Sequence, residues 1–422
     1  MKGTAGIPAL QLETLNKLIS KLPKNPSNYF SSMFKSTQYP SDTIKWETEY
    51  TSGGMTPFVA PGSIAPTVGL DGIAQSEARA AYYKEKMYFD EEFLNNLREP
   101  GTLVTYETAE RKLAKGMQKL QYRCQRRREW MISQAITQGV INYSIAGGTK
   151  FSVSYGIPAT HLVTLDESTR NWATGTSRNP VEDIFDGKTT LSIDAGVKPS
   201  QCMLNSILLK TLMLDSNMQN LLKSSAFGNG DLFSNPGPVM ANLLGVDKLV
   251  VYDELYEVQA YLTITVPGGS SASYQVYVDD ASDFTVGGTL RFYNLAQFNV
   301  WEDQVITAVD TVNNIITVDQ QPSLTFVGTR DKVIMRKKFV QDNEFIMFSE
   351  QAGGDPIAEF MEAPYGMQRR WGFYADTEME WDPEGIWIRV QDKGLPVVYH
   401  PDCIFKLTVG ALSDFMIPSN IS

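Results

Sequence analysis

The chain contains only two histidines, His161 and His400, and neither has a second ligand or base at motif spacing. HExxH is absent, so the expectation for both is a structural or surface role. Cys124, Cys202 and Cys403 are odd in number, far apart and outside any Cys-x-x-Cys pattern. They read as free buried thiols rather than a metal site or a disulfide framework. Gly187-Lys188-Thr189 ends like a phosphate loop, but the motif needs a glycine five positions earlier, where Glu182 stands. Gly147-Gly148-Thr149-Lys150 lacks the Gly-Lys-Ser/Thr ending altogether. No GxSxG elbow or GxGxxG fingerprint occurs. Adjacent acids, as in Asp90-Glu91-Glu92 or Asp376-Thr377-Glu378, could cut glycosides only if a cleft held two of them at a set separation. The expectation is no catalytic site, no cofactor and no metal.

The concentrated charge is cationic. Arg123, Arg126, Arg127 and Arg128 follow Arg111, Lys112, Lys115 and Lys119 within residues 106–139, against Glu107, Glu110 and Glu129. Such a stripe could neutralise phosphates, form a solvated helix back, or receive acids from a neighbouring copy through forked arginine–carboxylate pairing. The remainder of the chain favours the third. To position the stripe, Tyr106 to Gly139 must be one helix. It has no proline, and Ala109, Leu113, Met117, Leu120, Cys124, Met131 and Ala135 keep one face apolar or small. Thr105 is expected to cap it, Glu107 and Glu110 to suit its positive end, and Gly139 to end it. At ~1.5 Å per residue it would be roughly 50 Å long, a strut with a narrow apolar seam and a charged back.

Around this helix, 422 residues with 42% apolar and 20% charged content predict a globular protein of about two to three domains. A net charge of −11 argues against general affinity for nucleic acid. No window is apolar and long enough for a bilayer, and the first thirty residues show no secretory pattern, so a cytosolic origin is expected. Residues 1–45 read as an arm, with an amphipathic helix over Pro8 to Leu22. After that helix come prolines and the adhesive aromatics Tyr29, Phe30, Phe34 and Tyr39. Such an arm must lie on another part of the fold or on a neighbouring subunit. Residues 46–85 read as a long two-stranded excursion around a Gly/Pro-rich tip. Residues 150–200 are expected to mix strand and loop. Beyond them come a strand at Gln201–Leu204, helices at Ser206–Met213 and Ser216–Lys223, and a strand from Lys248 to Tyr252. Residues 257–335 alternate in short runs and carry nine acids against Arg291, Arg330 and Lys332, which predicts an exposed, inserted barrel or sandwich of about six strands. Phe345–Phe348 is expected as a buried strand, Ile357–Glu362 as a short helix, and the last ten residues as a peripheral tail.

Two blocks carry a family resemblance. In ETAERKLAKGMQKLQYRCQRRREWMISQAITQG, the run Arg128-Glu129-Trp130-Met131, then Gln134-Ala135 and Gly139, resembles the end of the spine helix in lambda-type coat proteins. In WDPEGIWIRVQDKGLPVVYHPDCIFKLTV, Asp382-Pro383, Leu395-Pro396 and Pro401-Asp402 fall in that family's order. The order of parts is similar from about residue 25 to 409. This resemblance, to the major capsid protein E family of tailed phages, implies an α+β protein with the HK97-like capsid fold. Residues 1–45 would be the N-terminal arm and 46–85 the extended loop. Residues 86–179 and 371–412 would be the peripheral domain with spine helix 106–139, and 180–256 with 336–370 the axial domain. The 257–335 insertion departs from the minimal pattern.

The implied function is a non-enzymatic coat protein forming pentamers and hexamers of an icosahedral head around double-stranded DNA. It would assemble in the host cytoplasm and reside in the virion. Its partners would be further copies of itself, a separate scaffolding protein, a portal and a decoration protein that the insertion could replace or bind. DNA would be enclosed without specific binding, with no membrane contact. Arg123, Arg126, Arg127, Arg128, Tyr29, Phe30 and Phe34 are the candidate assembly residues. Some relatives crosslink through Lys–Asn bonds, but no local motif here assigns a pair. A nanocompartment shell, a tail component and a glycan hydrolase with a carbohydrate-binding β module are the alternatives.

Overall fold

In the computed structural model of the chain, the described residues are 28–48, 56, 58–59, 64, 74–90, 103–145, 149–224, 236–297, 300–382 and 384–410. The expected helix over Pro8–Leu22, most of the loop tip and the C-terminal tail lie outside them. The described residues divide into two compact units, one within 1–142, 152–252 and 340–422, the other within 143–151 and 253–339.

In the first unit the long helix spans Leu103–Thr137, 35 residues. Because it starts before Thr105, that residue sits inside the first turn rather than capping it. The side chains of Glu107 and Glu110 lie outside the described residues. The helix ends as expected: Gly139 has φ +66°, and an added Cβ would lie 2.9 Å from Ile157. Only glycine meets both demands. Met117, Leu120 and Cys124 pack on Phe89, Ala375, Ile386, Ile388 and Val390, so a helical stripe meets the inner face of a sheet.

That sheet is built on the strand Glu384–Val398. Tyr374–Trp381 pairs with the first part of it and Ala358–Glu362 with the last, while Ala81–Asp90 pairs from Gly385 to Gly394, all antiparallel. Ser36–Gln38 of the arm adds a parallel strand beside Ala358–Glu362. The short helix expected over 357–362 is therefore a strand. Paired on both sides, it buries Ala358 and Phe360, and Gly394 leaves the space that Phe360 occupies. Tertiary pairing overrides local propensity here.

A second sheet runs in the order Leu162–Thr164, Ile404–Thr408, Glu344–Phe348, Gln201–Leu204, Lys248–Val251. Residues 404–408 pair with Glu344–Phe348 on one side and with Leu162–Thr164 on the other. Leu208, Leu212, Met240 and Leu244 share a core with Cys202, Leu204, Phe345, Met347 and Phe405. The mixed strand and loop expected over 150–200 also contains a 15-residue helix, Pro180–Asp194, started by Pro180 and by Asn179, whose side chain accepts from the Glu182 N–H. Gly187 lies inside it, and an added Cβ would lie 2.4 Å from Met347 and 2.6 Å from Phe405. Its glycine serves close packing, not a phosphate cradle. Thr43–Thr48 and Ala74–Arg79 form the antiparallel base of the excursion.

The second unit has its own core. Six antiparallel strands run in the order Leu255–Tyr261, Lys332–Lys338, Thr289–Tyr293, Trp301–Asp310, Ile315–Gln320, Ala272–Tyr277. An isolated bridge between Leu262 and Val278 joins the two outer strands, as in a closed barrel. Leu290, Phe292, Ile306, Ile316, Val318, Phe326 and Val333 fill it.

Candidate assembly surface

The four arginines of the long helix have different fates. Arg128 is 7% exposed. Its Nη2 donates to Asp392 Oδ2 at 2.6 Å, and its Nη1 lies 3.0 Å from both Glu362 Oε1 and Ser36 Oγ. The guanidinium also lies over Phe360 and Phe373, at 4.3 and 4.5 Å from the ring centroids. Burial opposes this charge, but Asp392, Tyr83 and Glu362 more than offset it and hold the pKa above the ordinary value. Asp392 also accepts from the Tyr83 hydroxyl, whose pKa is driven up by burial and then by that carboxylate. Arg128 therefore joins the helix to the arm and to two strands of the first sheet. The expectation that it meets a neighbour's acid gives way, because both carboxylates belong to its own chain and little of its surface is left.

Glu129 is fully buried and serves the arm. The short helix Tyr29–Met33 has no side-chain cap from Asn28. Glu129 supplies one from across the fold, accepting from the Phe30 N–H at 2.8 Å, the Ser31 N–H at 2.7 Å, the Ser31 hydroxyl at 2.6 Å and the Tyr252 hydroxyl at 2.7 Å. Burial raises its pKa, with these hydrogen bonds working the other way. Phe30 stands edge-on to Tyr252 at 5.6 Å, and both Phe30 and Phe34 are buried. Tyr29 donates to Gln201 Oε1 at 2.7 Å, and Lys248 Nζ lies over its ring. Of the two places open to the arm, residues 29–34 occupy the body of their own chain.

Arg123 and Arg127 remain outside. With Lys115 and Lys119 they recur every fourth residue and all four are exposed, forming one cationic ridge about 18 Å long. Arg123 pairs with Glu85. Arg127 lies over the Trp130 ring at 5.1 Å. Lys115, Lys119 and Arg127 have no carboxylate partner among the described residues. Arg126 is half-buried beside the ridge. From Arg128 to Thr137 the helix is buried on almost every side, so the seam is narrow only in the part that carries the ridge.

The other candidates for chemistry are structural. His161 is buried, with Nδ1 2.9 Å from Ile404 O and Nε2 3.0 Å from Asp194. His400 is buried. Lys188 donates to the Leu244 carbonyl at 2.7 Å. Among the described residues no group of three His, Cys, Asp or Glu is placed to hold a metal.

The family model described as phage major capsid protein E matches residues 11–260 and 324–409, most of the chain. The protein belongs to this family. It is an α+β structural coat protein that self-assembles into a phage shell, and its place is the virion capsid. No curated protein matches the sequence. Among solved structures, a phage-related protein from Bordetella bronchiseptica is similar at 9% identity and a TM-score of 0.48, covering 95% of this chain and 98% of the other. A prophage protein from Escherichia coli gives 12% identity and 0.49, over 94% and 98%. The capsid of cyanophage P-SCSP1u gives 9% and 0.42, over 93% and 90%. The family assignment of this phage major capsid protein rests on the sequence match.

The charged and polar groups around Arg128 were not legible in the sequence. Tyr83, Glu362 and Asp392 lie in three separate strands, and only the sheet brings them to one helix turn. Asp392 sits in the same closing block that carries the resemblance, which was the available signal. The role of Glu129 had none, because two of its four donors are backbone N–H groups and all four lie about a hundred residues away.

Proposed function

We propose that this phage major capsid protein forms pentamers and hexamers that close an icosahedral head around double-stranded DNA. The match to the capsid family over most of the chain is the observation that carries this reading. In it, residues 46–85 are an extended loop reaching an adjacent subunit. Residues 86–179 and 371–412 form the peripheral domain, and 180–256 with 336–370 the axial domain. Residues 257–335 are an insertion on the outer surface. Their separate core, with strands entering and leaving side by side at Leu255 and Lys338, suits an insertion that leaves the host fold undisturbed. A separate scaffolding protein, a portal and a decoration protein are the expected partners, and assembly takes place in the host cytoplasm. The net charge of −11 suits a wall that encloses DNA without binding it tightly. The protein has no catalytic duty.

Arg123, Arg126 and Arg127 remain the candidates for contact with a neighbour, while Arg128 works within the subunit. Negative-stain and cryo-electron microscopy of the expressed chain, alone and with its scaffold, should show closed shells with five- and six-fold units. Persistent monomers under all conditions would overturn the reading. Particles filled with a cargo enzyme and no DNA would replace it with a nanocompartment.

A further inference from the structure

The barrel of the second unit has an outer face as well as a core. Strand register puts Tyr261, Lys332, Tyr293 and Trp301 side by side on four adjacent strands. With strands about 4.8 Å apart, this row is about 14 Å long. Its chain neighbours Ala260, Val333 and Phe292 fill the core, so by alternation the row points outward. Tyr261 is 45% exposed and Trp301 49%, with Tyr293 half-buried between them. The next row on the same face holds Gln259, Ile334, Arg291 and Asp303.

A second observation is that the most exposed ring of the row is held in place. The Arg291 guanidinium lies 4.0 Å from the Trp301 ring centroid and covers one side of the indole. Arg291 is itself fixed by Asp303, to which Nε and Nη2 each donate at 2.7 Å. The forked pair and the stacked cation together orient the tryptophan and leave its other side to solvent. A ring already oriented loses less freedom when something binds to it.

Charge and shape select the occupant. Arg291 is occupied by Asp303, Arg336 lies 3.2 Å from Glu257, and Lys332 donates to Gln259 at 3.3 Å. The face therefore offers no unpaired acid to a cationic partner. The nine acids and three bases of residues 257–335 repel polyanions. A protein partner wants a continuous apolar centre, whereas here a polar row borders the rings and Ile334 is 7% exposed. A neutral sugar ring fits both demands. Its C–H side lies on an aromatic ring, and its hydroxyl edge meets donors and acceptors. Arg291 keeps N–H groups beyond the two given to Asp303, and the carboxylate keeps acceptor sites.

We propose that this face binds a neutral β-linked glycan, with Tyr261, Tyr293 and Trp301 lying under its sugar rings. Arg291, Asp303 and Gln259 hydrogen-bond the hydroxyls along one edge. A β-linked chain with equatorial substituents runs straight, as the row does. Each site is weak alone, and a shell carrying many copies would hold a polysaccharide by avidity. Only that gain rests on the shell reading; the site belongs to the single subunit.

The probes are cellohexaose and chitohexaose, titrated into unassembled full-length subunits and followed by ligand-observed NMR. Wild type should bind at least one of them saturably. Trp301→Ala should weaken that binding at least tenfold while the subunit keeps its Tm. Arg291→Lys keeps the charge and loses the fork, and should weaken binding several-fold although Trp301 is still present. If either variant lowers the Tm, Tyr261→Ala, at the far end of the row, should still weaken binding several-fold. No binding of either probe by folded wild type, or undiminished binding by folded Trp301→Ala, would overturn the proposal. Two other results without sugar binding would also overturn it. Oligothymidylate binding that Trp301→Ala loses would give the face to nucleic acid, and self-association lost in that variant would give it to a second copy. Failure of the wild-type chain to form shells would overturn the shell reading and leave the subunit titration to decide this proposal.

Discussion

Arg127 and Arg128 are neighbours in sequence and opposites in the fold. Arg127 belongs to an exposed ridge of cations spaced four residues apart, with one aromatic ring beneath it. Arg128 begins a turn buried on almost every side and lies between Asp392 and Glu362. Both have the same guanidinium, so residue type does not decide the duty. What decides it is the 100° between successive residues, which points one side chain at solvent and the next at a sheet. A charge held by buried carboxylates is part of folding. A charge without a carboxylate partner among the described residues is the one proposed for assembly.

The largest expected effect breaks the buried side of this contrast. Arg128→Ala leaves Asp392 buried without its cation and should cost about 3–5 kcal/mol of subunit stability, read by urea denaturation of unassembled protein. A loss below about 1 kcal/mol would mean that the two arginines are not so different. Next, Glu129→Ala strands two backbone N–H groups and the Tyr252 hydroxyl, and should cost about 3 kcal/mol. Amide exchange at Phe30 and Ser31 should rise in the same variant, and unchanged protection there would show that the arm is held by other contacts.

Smaller effects test the exposed side. Lys119→Ala with Arg127→Ala should leave subunit stability within about 0.5 kcal/mol, while the shell yield falls. A large loss of subunit stability would place the ridge inside the fold. The smallest expected effect is on pH. Burial raises the Glu129 pKa above its ordinary 4.5, so the folded subunit holds that proton more tightly than the unfolded chain. This contribution is full below the ordinary value and is lost as pH rises through the folded value. Wild-type subunits should therefore lose stability relative to Glu129→Gln as pH rises from about 4.5, and a difference that stays flat across that range would mean the carboxyl is not shifted.

Much of the architecture was legible because it is periodic. The stripe Met117, Leu120, Cys124 required a helix lying on something apolar, and the inner sheet face supplies it. The alternation within 257–335 required strands, and Gln201–Leu204 read as a strand and Phe345–Phe348 as a buried one. Two elements misled. Ile357–Glu362 has no strong local preference and became a strand because it lies between two others. The helix Pro180–Asp194 was hidden behind Gly187, whose missing side chain serves packing against Met347 and Phe405 rather than flexibility.

The sequence by itself determined the family, the long helix with its basic side, and the run of strands between Leu255 and Lys338. These depend on order and on short-range spacing, which one chain displays in full. Only the tertiary structure decided which arginine is spent inside the subunit and which is left over. That choice depends on Asp392, Glu362 and Tyr83, distant in sequence and brought together by sheet register, and register is set by the whole core rather than by any local run of residues.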